Sequence, residues 1–259
     1  MFADHTRLIR YFAGDALHQL VALHYLKSHP HDVVGYLYET EPQHSAALLL
    51  LPIAISPTDR ALYKTMQWVA VLSANHRDAA ALLLPYIPQS QPAVIKCSDA
   101  FSRTALRNHQ QARHTRSLIS YTAPAQNGYS ASDMVQVSAR LDERCIPLWC
   151  KGGCDEQSIR SAFSSGDALA FTQYEQDEPV ATCYAYPNYE GIWDVTGVYT
   201  VGAQPQRELG QAVMGTALHH LLGRKLTPHY QVEHSDHALI RLAELLRLQR
   251  TAQTDHFTL

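Results

Sequence analysis

The reading turns on Trp193-Asp-Val-Thr-Gly-Val-Tyr-Thr-Val-Gly-Ala-Gln-Pro-Gln-Arg-Glu-Leu-Gly-Gln-Ala212. Its first part, from Ile192 to Thr200, is rich in β-branched and aromatic residues and predicts a strand. Gly202, Pro205 and the polar residues around them predict a loop. A helix follows from about Glu208, with Val213, Ala217, Leu218 and Leu221 on one side and Gly223 as a stop signal. The first-turn N–H groups of a helix have no intrahelical partner, and the helix dipole adds positive potential there. Such an end suits a phosphate. Arg207-x-x-Gly210-x-Ala212 stands on it: Gly210 lets a phosphate approach the backbone and Ala212 keeps bulk away. An ordinary helix start with a packing glycine has the same spacing, so the pattern alone leaves both readings open.

Outward from this stretch, His229 to Glu233 reads as a strand, Asp236 to Leu246 as a helix and Gln249 to Leu259 as a last strand. Upstream, strands are expected at Met134 to Ala139, Ala168 to Tyr174 and Val180 to Tyr186, with a helix over Asp155 to Phe163. The first half repeats this order. Its first 30 residues read helical, and strands follow at Val33 to Glu39, Ala46 to Ile55 and Trp68 to Leu72. Then come a helix over Arg77 to Leu84, a strand over Ala93 to Cys97, a helix over Asp99 to Arg107 and a strand over Arg113 to Tyr121. Trp68 opens a strand, and Trp193 sits in one 125 residues later. Ser98-Asp99 opens a helix, as does Ser235-Asp236, 137 residues later. Such an echo supports two related halves. The small and polar residues from Ala123 to Asp133 read as a linker, so the expected domains are 1–125 and 126–259.

The chain has 259 residues, 46% of them apolar and 17% charged, which suits a packed core and excludes a disordered chain. Its net charge is −3. Residues 1–125 hold 11 Lys and Arg against 8 Asp and Glu, and residues 126–259 hold 10 against 16. No global basic field favours nucleic acid or an anionic membrane, so neither is an expected partner. The longest apolar stretch, Ala46 to Ile55, is too short to cross a bilayer. No secretory signal is visible, and five cysteines form no disulfide-like frame, so a cytoplasmic protein is expected. Cys145, Cys150 and Cys154 lack the paired spacing of a zinc site, and the neighbouring His229, His234 and His237 lack companion ligands, so no metal is expected.

The segment from Trp193 to Ala212 resembles the cofactor site of the GNAT acetyltransferase superfamily, whose Arg/Gln-x-x-Gly-x-Gly/Ala pattern is matched by Arg207, Gly210 and Ala212. Val232 to Leu248 resembles that family's fifth strand and fourth helix, and the resemblance spans about 130–259. Asp236 stands where Asn is usual, Leu239 where Ser is usual, Arg247 in place of Gly and Ala243 in place of a Tyr that often serves as general acid. The resemblance implies an α/β fold with a mixed, mostly antiparallel sheet flanked by helices, which the internal echo extends to a tandem pair. It implies an enzyme that transfers an acetyl group directly from acetyl-CoA to an amine of a small molecule or peptide. The pyrophosphate would rest on Arg207, Glu208, Leu209, Gly210, Gln211 and Ala212, and the pantetheine arm would lie along Val198, Tyr199 and Thr200. Asp194 is the expected general base, Glu233 its runner-up, and Tyr199 a substitute acid. The first half has no glycine between Gly35 and Gly128, so it is expected to lack a phosphate loop and to serve as a degenerate scaffold. Two other readings stay open: an acyl-CoA-binding regulatory protein without turnover, and a transferase using another activated acyl donor.

Overall fold

Ala46 to Leu51 is an unbroken apolar run, and every residue of it is buried, as expected of a strand covered on both faces. It lies in a computed structural model that describes residues 2–41, 44–125, 128–202 and 207–259. The chain divides into two compact units, 1–119 with 252–259, and 120–251.

The first unit contains α1 (His5–Ala13), α2 (Leu20–Ser28), β1 (Val34–Glu41), β2 (His44–Pro52), α3 (Pro57–Leu62), β3 (Trp68–Ala74), α4 (Arg77–Leu83), β4 (Ala93–Cys97) and α5 (Ala100–Arg107). The expected single helical run over the first 30 residues is two helices. Gly14 caps α1, its N–H on the Phe12 carbonyl, and a turn follows before Leu20. Strands β1, β2 and β3 pair antiparallel, and β3 pairs with β4 in parallel. Leu48, Leu72, Ile95 and Cys97 meet Ala80, Leu83 and Leu106 of α4 and α5 in one apolar layer.

The opposite face of β4 carries a buried polar network. Lys96 Nζ lies 2.6 Å from Asp59 Oδ1 and donates to Tyr25 Oη at 2.8 Å. Tyr25 and Ser56 hydroxyls both donate to the Asp59 carboxylate. Burial alone would raise the Asp59 pKa, but the Lys96 charge and these hydrogen bonds outweigh it and hold the group below its ordinary value. Burial also opposes the charge on Lys96, and the facing Tyr25 and Asp59 hold its pKa above the ordinary value.

The second unit contains β6 (Val135–Ser138), α6 (Ile146–Lys151), α7 (Glu156–Ser164), β7 (Leu169–Glu175), β8 (Glu178–Tyr189), β9 (Ile192–Thr200), α8 (Arg207–Gly223), β10 (Thr227–Glu233) and α9 (His237–Leu245). The short helix α6 carries Pro147 in its first turn, a position that needs no N–H donor. Strands β6 to β9 pair antiparallel in order, and β9 pairs with β10 in parallel. Trp149, Ile159 and Phe163 pack with Ala170 and Tyr184 on one face. Val213, Met214, Ala217, Leu218 and Leu221 of α8 are fully buried.

Two further strands, β5 (Arg113–Thr122) and β11 (Gln249–Thr258), each carry residues of both units. A single boundary near 125 therefore does not describe the chain. Asp255 to Thr258 pair antiparallel with Cys97 to Val94 and complete the sheet of the first unit. Apart from the short helices, α3 among them, in the first half and β6 at the head of the second, helix pair, two antiparallel strands, third strand, helix, parallel strand, helix, last strand is the order in both halves. The echoed aspartates do the same work: Asp99 caps α5 through Ser102 N–H, and Asp236 caps α9 through Leu239 N–H. Among the described residues no helix is long and apolar enough to cross a membrane.

Candidate active site

The two parallel strands of the second unit stay in register only from Ile192 with Thr227 to Val195 with Tyr230. Beyond that point β9 continues to Thr200 and β10 to Glu233, while β9 remains paired with β8 as far as Ala181 and Thr200. Among the described residues, one edge of β9 from Thr196 to Thr200 thus has no β10 partner. Its backbone groups are placed to receive an extended ligand as a strand would.

Strand β9 is bulged at this point. Thr182 pairs with Tyr199 and Tyr184 with Thr196, so Gly197 and Val198 together oppose Cys183. Gly197 has φ +64°, and a Cβ there would stand 2.8 Å from Trp149 Cδ1 and 2.9 Å from Tyr184 Cε1. Strict alternation along β9 would put Val198 on the face of Asp194 and Thr196; the bulge brings Tyr199 to that face instead. Gly197→Ala should lower stability by about 2 kcal/mol or more, because left-handed backbone and overpacking each cost about 1 kcal/mol or more. Urea unfolding checks it, and a midpoint equal to wild type would contradict the tight packing.

Helix α8 starts at Arg207, and the preceding residues 203–206 lie outside the described residues, as does the side chain of Arg207. Glu208 is exposed, and Gly210 is buried. A Cβ on Gly210 would lie 3.8 Å from Thr200 Cγ2 and 3.8 Å from Leu242 Cδ2, which is ordinary contact. The fold therefore brings the two expected cofactor segments, Val198 to Thr200 and the start of α8, side by side. Packing within the protein does not by itself require glycine at 210. Val198 is buried, Leu209, Gln211 and Ala212 are half-buried, and Tyr199 lies beneath Lys151, whose Nζ is 5.9 Å from its ring centre. A helix N-terminus beside an open strand edge fits a phosphate with an amide-bearing arm.

Asp194 stands where β9 and β10 are still paired, directly opposite His229. His229 Nδ1 is 2.6 Å from Asp194 Oδ1, and Asn188 Nδ2 donates to Asp194 Oδ2 at 2.7 Å. Tyr186, opposite Asp194 on β8, also bonds the carboxylate; burial and that charge push its pKa well above the ordinary value, so it is the donor. The Asp194 side chain is 18% exposed and that of His229 6%. A carboxylate only accepts, so His229 Nδ1 carries the hydrogen, and neutral imidazole then has its lone pair on Nε2.

Asp194 is an expected base from the sequence, whereas Tyr186 and Asn188 carry no sequence signal and His229 stands there only among histidines that lack companion metal ligands. The missing signal is the parallel register that sets 194 against 229. Glu233 lies four residues beyond His229, about 13 Å along the strand, toward the open end. His234 and His237 are exposed. Ala243 is fully buried in α9 and supplies no acid. The equivalent strand pair of the first unit sets Trp68 against Ala93 and then Val69 against Val94, both fully buried, where the second sets Trp193 against Pro228 and then Asp194 against His229.

No family model and no curated protein matches the chain. Solved structures do. A GCN5-related N-acetyltransferase from Kribbella flavida is 12% identical with a TM-score of 0.62, over 100% of this chain and 96% of that one. An acetyltransferase of the GNAT family from Colwellia psychrerythraea is 10% identical with a TM-score of 0.61, over 98% and 96%. A tandem GNAT protein from the clavulanic acid biosynthesis pathway, without acetyl-CoA, is 10% identical with a TM-score of 0.53, over 100% and 96%. At these identities the likeness shows the fold, which is the GNAT fold in tandem.

Proposed function

We propose that this tandem GNAT-fold chain is an N-acyltransferase whose second unit moves an acetyl group from acetyl-CoA to an amine. The observation that supports it most is the Asp194–His229 pair, one residue before β9 and β10 part, on the strand whose far end at Thr200 lies against Gly210 of α8. Bound acetyl-CoA would supply the activated acyl group. The N–H groups of α8 around Arg207 to Ala212 would hold its phosphates, and the backbone of Val198 to Thr200 its pantetheine arm. An N–H on that open edge can polarise a carbonyl.

An acceptor amine is mostly protonated at neutral pH and must lose a proton before it attacks. Asp194 already accepts from His229, Asn188 and Tyr186, so its oxygens are occupied by these partners. In this reading His229 Nε2 takes the proton, and Asp194 fixes the imidazole tautomer and stabilises the imidazolium. Tyr199, turned to the same face by the bulge, is the candidate acid. The first unit, with Val69 and Val94 at the matching positions, is assigned a supporting role.

Titration calorimetry with acetyl-CoA should find one site per chain, and thiol release should appear with a fitting member of an amine panel. Binding with no release across the panel would favour the regulatory acyl-CoA binder, a reading that Ala243 at the usual acid position motivates. Gly210→Glu places bulk and negative charge at the phosphate end of the site. It should weaken acetyl-CoA binding by about tenfold or more, about 1.4 kcal/mol. Unchanged affinity in the folded variant would refute this placement.

A further inference from the structure

Strand β3 feeds α4 in the first unit as β9 feeds α8 in the second, but the residues at this junction differ in kind. His76 caps α4, its Nδ1 accepting the Asp78 N–H at 3.3 Å, and Asp78 puts a carboxylate in the first turn. That carboxylate would repel a phosphate drawn to the helix end. Antiparallel pairing of Ala46 with Ala74 carries His44 opposite His76, and their ring centres are 3.9 Å apart. Ligand atoms of His44, His76 and Asp78 all lie within 4.8 Å of one another, and Asp78 Oδ2 is 3.9 Å from His76 Nδ1. Among the described residues this is the one such group of three.

The surroundings hold the group in place. Asn75 Oδ1 accepts the Ser45 N–H at 2.8 Å, tying together the two segments that carry the imidazoles. Ala74 N–H donates to Asp99 Oδ2 at 3.1 Å. The Phe101 ring lies nearly parallel to His76, 17° apart with centres at 6.4 Å. Both imidazoles are half-buried and Asp78 is exposed, so the group is open to solvent on the carboxylate side.

We propose that His44, His76 and Asp78 bind a divalent transition metal ion of the zinc class. Two imidazoles and one carboxylate are the donor set that zinc, cobalt and nickel share, with water left to complete the shell. Tetrahedral ligands about 2.1 Å from zinc stand about 3.4 Å apart, so modest side-chain rotation closes the group on an ion. The long Asp78 N–H contact to His76 is the bond most easily given up. An ion here would pin the start of β2 to the start of α4, at the position that the proposed function gives to phosphate in the second unit. This inference does not depend on acyl transfer.

The test is a Co2+ titration of the full chain, followed by its visible absorption and by Zn2+-dependent thermal melting. The wild type should bind one equivalent saturably, and Zn2+ should raise its Tm. His76→Asn keeps a helix cap while removing the imidazole. His44→Gln removes the other. Each should weaken binding by about 10–100-fold or more and erase the Zn2+-dependent shift, while Tm in a chelator stays near wild type. The proposal is overturned if the wild type shows neither saturable Co2+ absorption nor a Zn2+ shift. It is also overturned if His76→Asn and His44→Gln titrate like the wild type.

Discussion

His229→Gln should lower kcat by about 10²–10⁴-fold, the usual worth of general-base help, with acetyl-CoA affinity unchanged. Glutamine keeps a polar group near Asp194 but has no lone-pair nitrogen to receive a proton. Asp194→Asn should also slow the reaction strongly, for a different reason: the amide no longer selects the tautomer with hydrogen on Nδ1, and no charge remains to stabilise imidazolium. Glu233→Gln, about 13 Å further along β10, is the control. A greater loss in Glu233→Gln would move the base to the strand end. Wild-type rates across pH 6–9 in both His229→Gln and Asp194→Asn would remove the pair from the chemistry.

Lys96→Met should destabilise the protein by about 3–5 kcal/mol, because it leaves the Asp59 charge buried without its partner. Adding Asp59→Asn should restore much of the loss, since no buried charge is then left unpaired. Denaturant midpoints of the four proteins close the cycle. A double variant as unstable as Lys96→Met would mean that packing, not the orphaned charge, sets the cost. The same region should make the protein acid-sensitive. Asp59 titrates below its ordinary 3.8 when folded, so its contribution is present above that pH and is lost as pH falls through the depressed folded value. His256, also in the first unit, is buried and held well below its ordinary 6.5, by burial first and by the Lys96 charge second. Unfolding lets it take up a proton, so stability should begin to fall below about pH 6.5.

The strand and helix flanking the stretch from Trp193 to Ala212 were legible because a β-branched run, a Gly/Pro loop and an amphipathic period are local signals. Trp68 and Trp193 revealed the repeated order and hold matching places in the two parallel strand pairs. Helix α6 escaped because six residues with Pro147 give no period to read. The bulge escaped because Gly197 fits a regular strand pattern equally well until Trp149 and Tyr184 press against it. The partnership of Asp194 with His229 and Tyr186 depends on registers across three strands, which no local pattern encodes. The destination of the last strand was equally hidden, since nothing in Gln249 to Leu259 says which sheet it joins.

That last strand sets a timetable for synthesis. Residues 252–258 emerge from the ribosome about 130 residues after Thr122, a lag of about 6–26 s at 5–20 residues per second. Throughout it, the half made first waits with the Val94–Cys97 edge of β4 lacking its final pairing partner. Bare strand edges recruit other chains, so this nascent intermediate is where the protein is most exposed to aggregation. Covering that edge during synthesis, as a holdase chaperone would, should raise the yield of folded protein.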